Sequence, residues 1–245
     1  MPFTPAHPLA VAPLVVLKRL DATCLVIGSM SPDFEYFARV KLAGRIGHTM
    51  LGLFVWCIPI TLLSAWLFHR AMKWPALRAA PAPIARRLAA FAERPWMPEW
   101  TWRTTAILVV SALIGALTHD LWDGITHHHM WGPKNIAALH DEYAVPVLGL
   151  MPLHRIIQHT STAIGLPLVA ILVARALIRT KPIEVVTGGR VVWFGCVAVC
   201  TALAYAKMFV RHETDVGSLV VAACCGLLFG ALVAGFIDLR RQARG

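Results

Sequence analysis

Histidine and aspartate residues at helical spacing are the clearest chemical pattern in this 245-residue chain. In the segment His119-Asp120-Leu121-Trp122-Asp123, the first and last residues are four positions apart. Because residues i and i+4 of a helix lie on one face, His119 and Asp123 could bind one metal ion together. Imidazole and carboxylate are common protein ligands of zinc and related cations. A purely structural His–Asp pair is the alternative interpretation.

Three further candidate ligands lie in the first 50 residues. Asp33 follows Ser31-Pro32, and the proline favours a turn that would orient the carboxylate. An ordinary N-cap of the next helix is the alternative role for Asp33. His48 opens an apolar stretch, where it is either a ligand or an interfacial histidine. His7 precedes Pro8, and by itself it would be an unremarkable surface residue.

The run His127-His128-His129 and the later His159 complete the candidate set. Three consecutive side chains of a helix cannot all face one ion, so we expect one or two of them to be ligands, with His127 and His128 as candidates. His159 begins another apolar stretch and could reach the same cavity. Asp120 would either orient a ligand histidine or act as a general base, and we expect Asp120 and Asp123 to be the catalytic residues.

The composition determines which elements must position these side chains. Apolar residues make up 58% and charged residues 15%, against about 25% charged in typical soluble domains. This excludes disorder and coiled coil, and it argues against an ordinary cytosolic enzyme. Stretches without Asp, Glu, Lys or Arg predict an all-α, polytopic integral membrane helical bundle of about five spans. The stretches are 50–68, 104–119, 156–174, 191–206 and 216–237.

We expect a single membrane domain over residues 1–245, with a transmembrane bundle over 49–239. Residues 1–48 carry the N-terminal His and Asp motifs. Lys18, Arg19 and Asp21 interrupt the apolar stretch there, which predicts two short helices, interfacial or packed on the bundle, instead of a span. Residues 75–103 form a basic loop with an amphipathic helix over 84–91.

The distribution of positive charge predicts the orientation of the chain. The segments 69–103 and 175–190 and the tail after residue 237 hold 14 of the 23 Lys and Arg residues. The positive-inside rule places these three segments in the cytoplasm. Ten of the eleven histidines then lie at the extracytoplasmic side of the cell (inner) membrane, where a cavity lined by His and Asp is expected.

Several motifs resemble those of the bacterial domain-of-unknown-function family numbered 4184. They are the opening MPFTPAHP, then GSMSPDF (28–34), GHTMLGL (47–53), HDLWD (119–123) and QHTSTAIG (158–165), and the resemblance covers roughly residues 1–235. The order of the His and Asp residues is also similar to that of the YdjM-like inner-membrane metal-dependent hydrolases. More distantly, it is similar to the zinc-dependent phospholipase C fold.

The more distant resemblance implies a ligand set. It assigns metal binding to His7, Asp33, His48, His119 and Asp123, with one of His127–His129 in the next ligand position. The zinc phospholipases have a further H-x-x-x-E pair, whereas here only His119 is followed by an acid four residues later. The resemblance therefore implies fewer metal ions, or the use of His159 or His212.

These patterns predict a zinc-dependent hydrolase, similar to phospholipase C, that binds one or more Zn²⁺ or other divalent ions. The expected substrate is a phosphoester, with a phospholipid or a lipid-linked head group as candidates, and the expected partner is membrane lipid. A metal or proton transporter and a non-catalytic membrane protein are the alternatives. Nucleic acid is not an expected partner, because the basic residues form short clusters without interleaved aromatic residues.

Overall fold

The structure is a computed structural model that describes residues 3–17, 19–93, 95–96 and 100–243. It confirms the all-α prediction: apart from one β-hairpin, the regular elements of these residues are helices. The hairpin pairs β1 (Glu142–Val145) with β2 (Gly149–Pro152). The helices are α1 (Pro8–Val15), α2 (Ala22–Gly28), α3 (Phe34–Arg39), α4 (Met50–Ala79), α5 (Ala82–Ala92), α6 (Trp102–Thr126), α7 (Trp131–Asn135), α8 (Leu153–Arg179), α9 (Arg190–Val210) and α10 (Val216–Gln242).

Five of these helices are long and apolar enough to cross a membrane, as the sequence predicts. They are α4, α6, α8, α9 and α10, with 21 to 30 residues each. A helix of about 20 residues spans the hydrocarbon core. The protein is therefore a multi-pass membrane protein. Helix α4 contains two π-helical turns, Leu53–Cys57 and Phe68–Met72.

Contacts within the chain define two compact units. The first comprises residues 1–32, 46–62 and 102–173, and the second comprises 33–45, 63–101 and 174–245. The core of the first unit contains Leu53 and Cys57 of α4 packed with Ala116 of α6.

Helices α1 and α2 are the two short N-terminal helices that the sequence predicts, and α2 is packed rather than interfacial. Its N-cap Asp21 accepts a hydrogen bond from the Cys24 amide and donates its own amide to Ser111 Oγ of α6. The two helices approach so closely that a Cβ on Gly115 would lie 2.5 Å from the Leu25 carbonyl oxygen. Glycine is therefore required at this crossing.

The second unit is built on the antiparallel pair α9 and α10. A Cβ on Gly230 would lie 2.4 Å from the Val197 Cα, which shows how small residues bring these helices together. Helix α5 contains the predicted amphipathic segment 84–91, and its Ala85 and Ala89 are buried. Arg87 donates hydrogen bonds to three carbonyl oxygens at and just beyond the C-terminus of α8, those of Leu177, Ile178 and Thr180.

Candidate metal centre

Helix α6 presents His119 and Asp123 on one face, and both side chains are buried. His119 Nε2 lies 3.3 Å from Asp123 Oδ2. The other ring nitrogen, Nδ1, lies 2.8 Å from the Ser29 carbonyl oxygen, which can only accept a hydrogen bond. His119 therefore carries its proton on Nδ1, and the lone pair on Nε2 faces Asp123. This arrangement, in which a carbonyl fixes the tautomer, is typical of histidine ligands in metal sites.

His7 reaches the same place from the N-terminus. Its ring stacks on the ring of His119 with 3.8 Å between centroids, and its Nε2 lies 3.6 Å from Asp123 Oδ1. The preceding segment is attached to α8, because the Phe3 amide donates to Thr162 Oγ1 at 2.9 Å. Residues that are more than 100 positions apart in the sequence thus meet in one buried group.

His48 lies on the loop before α4, with its ring centroid 5.3 Å from that of His119. Its Nδ1 lies 3.2 Å from Asp120 Oδ1, so the carboxylate can accept a hydrogen bond from this nitrogen, which leaves Nε2 for a cation. Gly47 allows the loop to approach the Ser31–Asp33 turn, since a Cβ there would lie 2.2 Å from the Pro32 carbonyl oxygen.

Asp33 follows Pro32 directly, so the chain of the first unit fixes its place. The preceding turn is held by Ser31 Oγ, which donates to the Gly28 carbonyl oxygen. Asp33 is fully buried and makes no side-chain capping hydrogen bond to α3, so the N-cap interpretation does not account for it.

One ligand atom from each of four residues converges at this point. The atoms belong to Asp33, His48, His119 and Asp123, and they all lie within 4.8 Å of one another. In the part of the chain that the structure describes, no other set of three or more His, Cys, Asp or Glu residues brings its ligand atoms this close. The four come from the turn after α2, the loop before α4 and the last turns of α6.

These donors fit a divalent cation. Two buried carboxylates carry two negative charges, and such charges are costly away from water unless they are paired or bind a metal. The ion pairs of Asp123 within the described residues are all with imidazoles, which are neutral unless protonated. Asp123 Oδ1 is buried and accepts no hydrogen bond from the residues that the structure describes. A divalent ion would balance the charge, and the mixed N and O donors suit zinc, manganese or iron.

His127 lies beside the four ligand atoms but does not contribute to them. Its Nδ1 is 3.4 Å from Asp123 Oδ1, and the Gln158 amide lies 3.4 Å from its Nε2. An amide NH₂ at that nitrogen donates to Nε2, which leaves the proton on Nδ1, towards Asp123. Burial lowers the pKa of His127, and the Asp123 carboxylate opposes this shift. His127 therefore lies beside Asp123 as a neighbour of the four ligand atoms and not as one of them.

The structure does not bring the other two candidate histidines to this group. His159 is exposed on α8. His128 is exposed as well, and its ring lies 5.6 Å from that of His140 and 5.8 Å from that of His154. His154 is buried, and its Nδ1 donates to the Leu139 carbonyl oxygen at 2.9 Å. This hydrogen bond connects the first turn of α8 with the segment that follows α7.

Two supporting groups were not identified from the sequence. The Ser29 carbonyl oxygen that orients His119 is a backbone atom, and no residue type signals it. Gln158 directly precedes the candidate His159, and consecutive helical residues point about 100° apart. The buried residues of α8 are His154, Gln158 and Gly165, which share one helical face, so polar and small residues mark the inward side of this spanning helix.

A comparison with protein families gives one match. The sequence profile of a domain of unknown function, DUF4184, matches residues 1–236. Searches of curated proteins and of solved structures found no match. Because the profile covers nearly the whole chain, the protein belongs to the DUF4184 family.

Proposed function

We propose that this protein is a membrane-embedded, metal-dependent phosphoester hydrolase. One divalent ion, zinc in the first instance, would be bound by Asp33, His48, His119 and Asp123. The observation that supports this most strongly is the convergence of four ligand atoms within 4.8 Å in a buried place. A buried group of two carboxylates and two imidazoles is expensive in a membrane protein unless it is used.

The ion would supply Lewis acidity, which activates water and polarises a phosphoryl group. His119 and Asp123 would contribute ligand atoms on one helical face. The Ser29 carbonyl oxygen holds His119 in the tautomer with its proton on Nδ1, which leaves Nε2 available to the ion. Asp120 holds His48 through Nδ1, so it is a positioning residue in this scheme. His7 lies beside the group, with its Nε2 3.6 Å from Asp123 Oδ1, and its imidazole is the candidate for proton transfer.

The reaction is a hydrolysis and needs no further reactant. Water adds its oxygen to phosphorus, and one P–O ester bond breaks. The alcohol leaves with a proton, and the His7 imidazole is placed to hold a proton during that exchange. The products are an alcohol and a phosphate that carries one ester bond fewer.

The metal content of the purified full-length protein tests the first part of the proposal. We expect about one equivalent of zinc per chain in detergent, as in a mononuclear catalytic site, and a loss of most of it in His119→Ala and in Asp123→Asn. His159→Ala is a matched control, because it removes an exposed histidine outside the ligand group. Equal metal content in the wild type and both ligand variants would refute the proposal.

Hydrolysis of bis(p-nitrophenyl) phosphate, with and without a chelator, tests the second part. We expect zinc-dependent release of p-nitrophenol that both ligand variants lose. A metal transporter is the alternative, because His119 and Asp123 are buried in a spanning helix. Bound metal without hydrolysis, together with zinc uptake into vesicles that contain the protein, would favour the transporter.

We also propose that the protein resides in the cell membrane with the metal centre on the extracytoplasmic side. The excess of Lys and Arg in 69–103, 175–190 and the tail supports this orientation. In a variant without the six native cysteines, a cysteine at the exposed position 129 should react with a membrane-impermeant maleimide on intact cells. A cysteine at exposed position 181 should react only after lysis.

A further inference from the structure

A cavity of about 640 Å³ lies in the first unit next to the metal centre. Its walls are the N-terminal segment 6–10, the face of α8 between Ile156 and Gly165, and Trp122 of α6. This volume is within the range of about 300–1,000 Å³ that is typical of sites for small ligands. The cavity is therefore large enough to hold part of a substrate.

The walls of the cavity are almost entirely apolar. Leu9, Ile156, Ile157 and Ile164 are among the residues that line it. Ser161 also lines the cavity, but its hydroxyl donates to the Ile157 carbonyl oxygen within α8, so the wall gains no free donor from it. A sugar or a free phosphate would lose its hydrogen bonds with water in such a place, whereas a hydrocarbon chain would lose nothing.

The position of the cavity gives it access to lipid. Helix α8 is one of the five candidate spans, and Ile164 is 54% exposed at the edge of the cavity. Trp122 is 43% exposed at the opposite edge. Where a spanning helix meets hydrocarbon, an open apolar cavity admits a lipid chain from the side without passage through water.

His7 connects the cavity with the metal centre. Its ring lines the cavity, and the same ring stacks on His119 at 3.8 Å. Only the ring of His7 would therefore separate the end of a chain in the cavity from the His119 side of the ligand group. From there the cavity extends along about two and a half turns of α8, since the nine-residue separation of Ile156 and Gly165 corresponds to about 13 Å.

We propose that this cavity holds one apolar chain of a membrane lipid whose phosphate ester lies at the metal centre. The inference rests on the proposed function and names its substrate class: an amphiphilic phosphoester taken sideways from the bilayer. The chain moves from one hydrocarbon environment to another, so its affinity comes from close packing against the cavity walls and not from removal of apolar surface from water. The cavity selects by position, because it holds the phosphorus in place for reaction.

A variant that fills the cavity tests this role. Ile164→Trp places a large ring in the cavity, and Ile171→Trp is the matched control, since it makes the same change at an exposed position of α8 that does not line the cavity. The substrates are phosphatidylglycerol vesicles, vesicles that contain polyprenyl diphosphate, and water-soluble bis(p-nitrophenyl) phosphate. Zinc content is measured for each protein.

We expect the wild type and Ile171→Trp to hydrolyse one of the two vesicle lipids, and the lipid that reacts identifies the source of the chain. Ile164→Trp should hydrolyse that lipid at least about tenfold more slowly, because the phosphorus is no longer held in position for reaction. The same variant should keep its zinc and its rate of hydrolysis of the soluble diester. Equal vesicle rates in both variants would overturn the inference. A parallel loss on the soluble diester would also overturn it, because the cavity would then not act through the chain.

Lipid binding separates this inference from the proposed function. Native mass spectrometry of the protein from phosphatidylglycerol or polyprenyl diphosphate vesicles should show one retained lipid for the wild type, for Ile171→Trp and for the metal-free His119→Ala. Ile164→Trp should retain none. If no protein hydrolyses any substrate but this binding pattern holds, the hydrolase proposal fails and the chain site stands. If Ile164→Trp retains lipid like the control, the chain site fails.

Discussion

The role of Asp120 can be decided by two substitutions at one position. Its carboxylate lies 3.2 Å from His48 Nδ1, and its side chain is only 18% exposed, so the contact is partly shielded from water. If Asp120 orients His48, Asp120→Ala should weaken metal binding. The loss of such a supporting carboxylate typically reduces metal affinity about 10- to 100-fold, which corresponds to about 1.4–2.7 kcal/mol.

The second substitution separates orientation from proton transfer. In Asp120→Asn the amide oxygen can still accept a hydrogen bond from the Nδ1–H group of His48, so most of the metal affinity should return. If Asp120 is instead the general base, both variants should bind zinc like the wild type and lose hydrolysis, because an amide cannot take the proton.

Zinc affinity is measured by competition with a chromophoric chelator on the full-length protein in detergent. The control is Asp141→Ala, which removes an exposed carboxylate of the same unit. Wild-type affinity in Asp120→Ala would refute the positioning role. The ratio between the Ala and Asn variants is the sharper observable, since a general loss of folding would affect both equally.

Three further predictions concern packing, ligand choice and pH. Gly115→Ala should lower the Tm, because the added Cβ would lie 2.5 Å from the Leu25 carbonyl oxygen. Gly195→Ala is the control: its added Cβ would have no neighbouring atom within 4 Å, so the Tm should stay unchanged or rise. His128→Ala should leave the zinc content unchanged, since this ring lies with His140 and His154 instead of in the ligand group. Hydrogen bonds from Ser218 lower the pKa of the Asp215 carboxyl, which caps the N-terminus of α10. The ionised carboxylate therefore stabilises the fold at pH values above the unfolded-state pKa of about 3.9. This stabilisation is lost as the pH falls through the lower pKa that Asp215 has in the folded state. The Tm difference between the wild type and Asp215→Ala should therefore shrink on acidification.

The spans could be predicted because hydrocarbon imposes a simple rule on length and charge. The end of α6 shows where that rule stops. A stretch without charges ends at His119, whereas the helix continues to Thr126. The added turns are polar, and they are stable because His119 and Asp123 are buried against His7. A search for stretches without charged residues therefore ends the span too early where the helix continues with buried polar residues.

Which histidines converge depends on geometry that no local pattern contains. His127 follows the last residue of α6 directly and stays near Asp123, while His128 is one residue further and points to another group of rings. His7 reaches His119 only because the segment before α1 is attached to α8 at Thr162. The hairpin β1–β2 was likewise not predicted, although Pro146 and Gly149 are typical turn residues.

The position of the metal centre relative to the apolar cavity links the two proposals physically. A soluble phosphoester would need an open, polar approach to the ligand atoms, whereas His7 and Asp123 are almost completely buried. The cavity that His7 lines is apolar and extends along a candidate membrane span. Burial that would hinder a water-soluble substrate is compatible with the proposed lipid substrate, because a lipid would reach the site from hydrocarbon and would need water only for the reaction itself. We therefore expect a high ratio between the rate of hydrolysis of the vesicle lipid and the rate of hydrolysis of the soluble diester. A substitution that fills the cavity should reduce this ratio without loss of zinc.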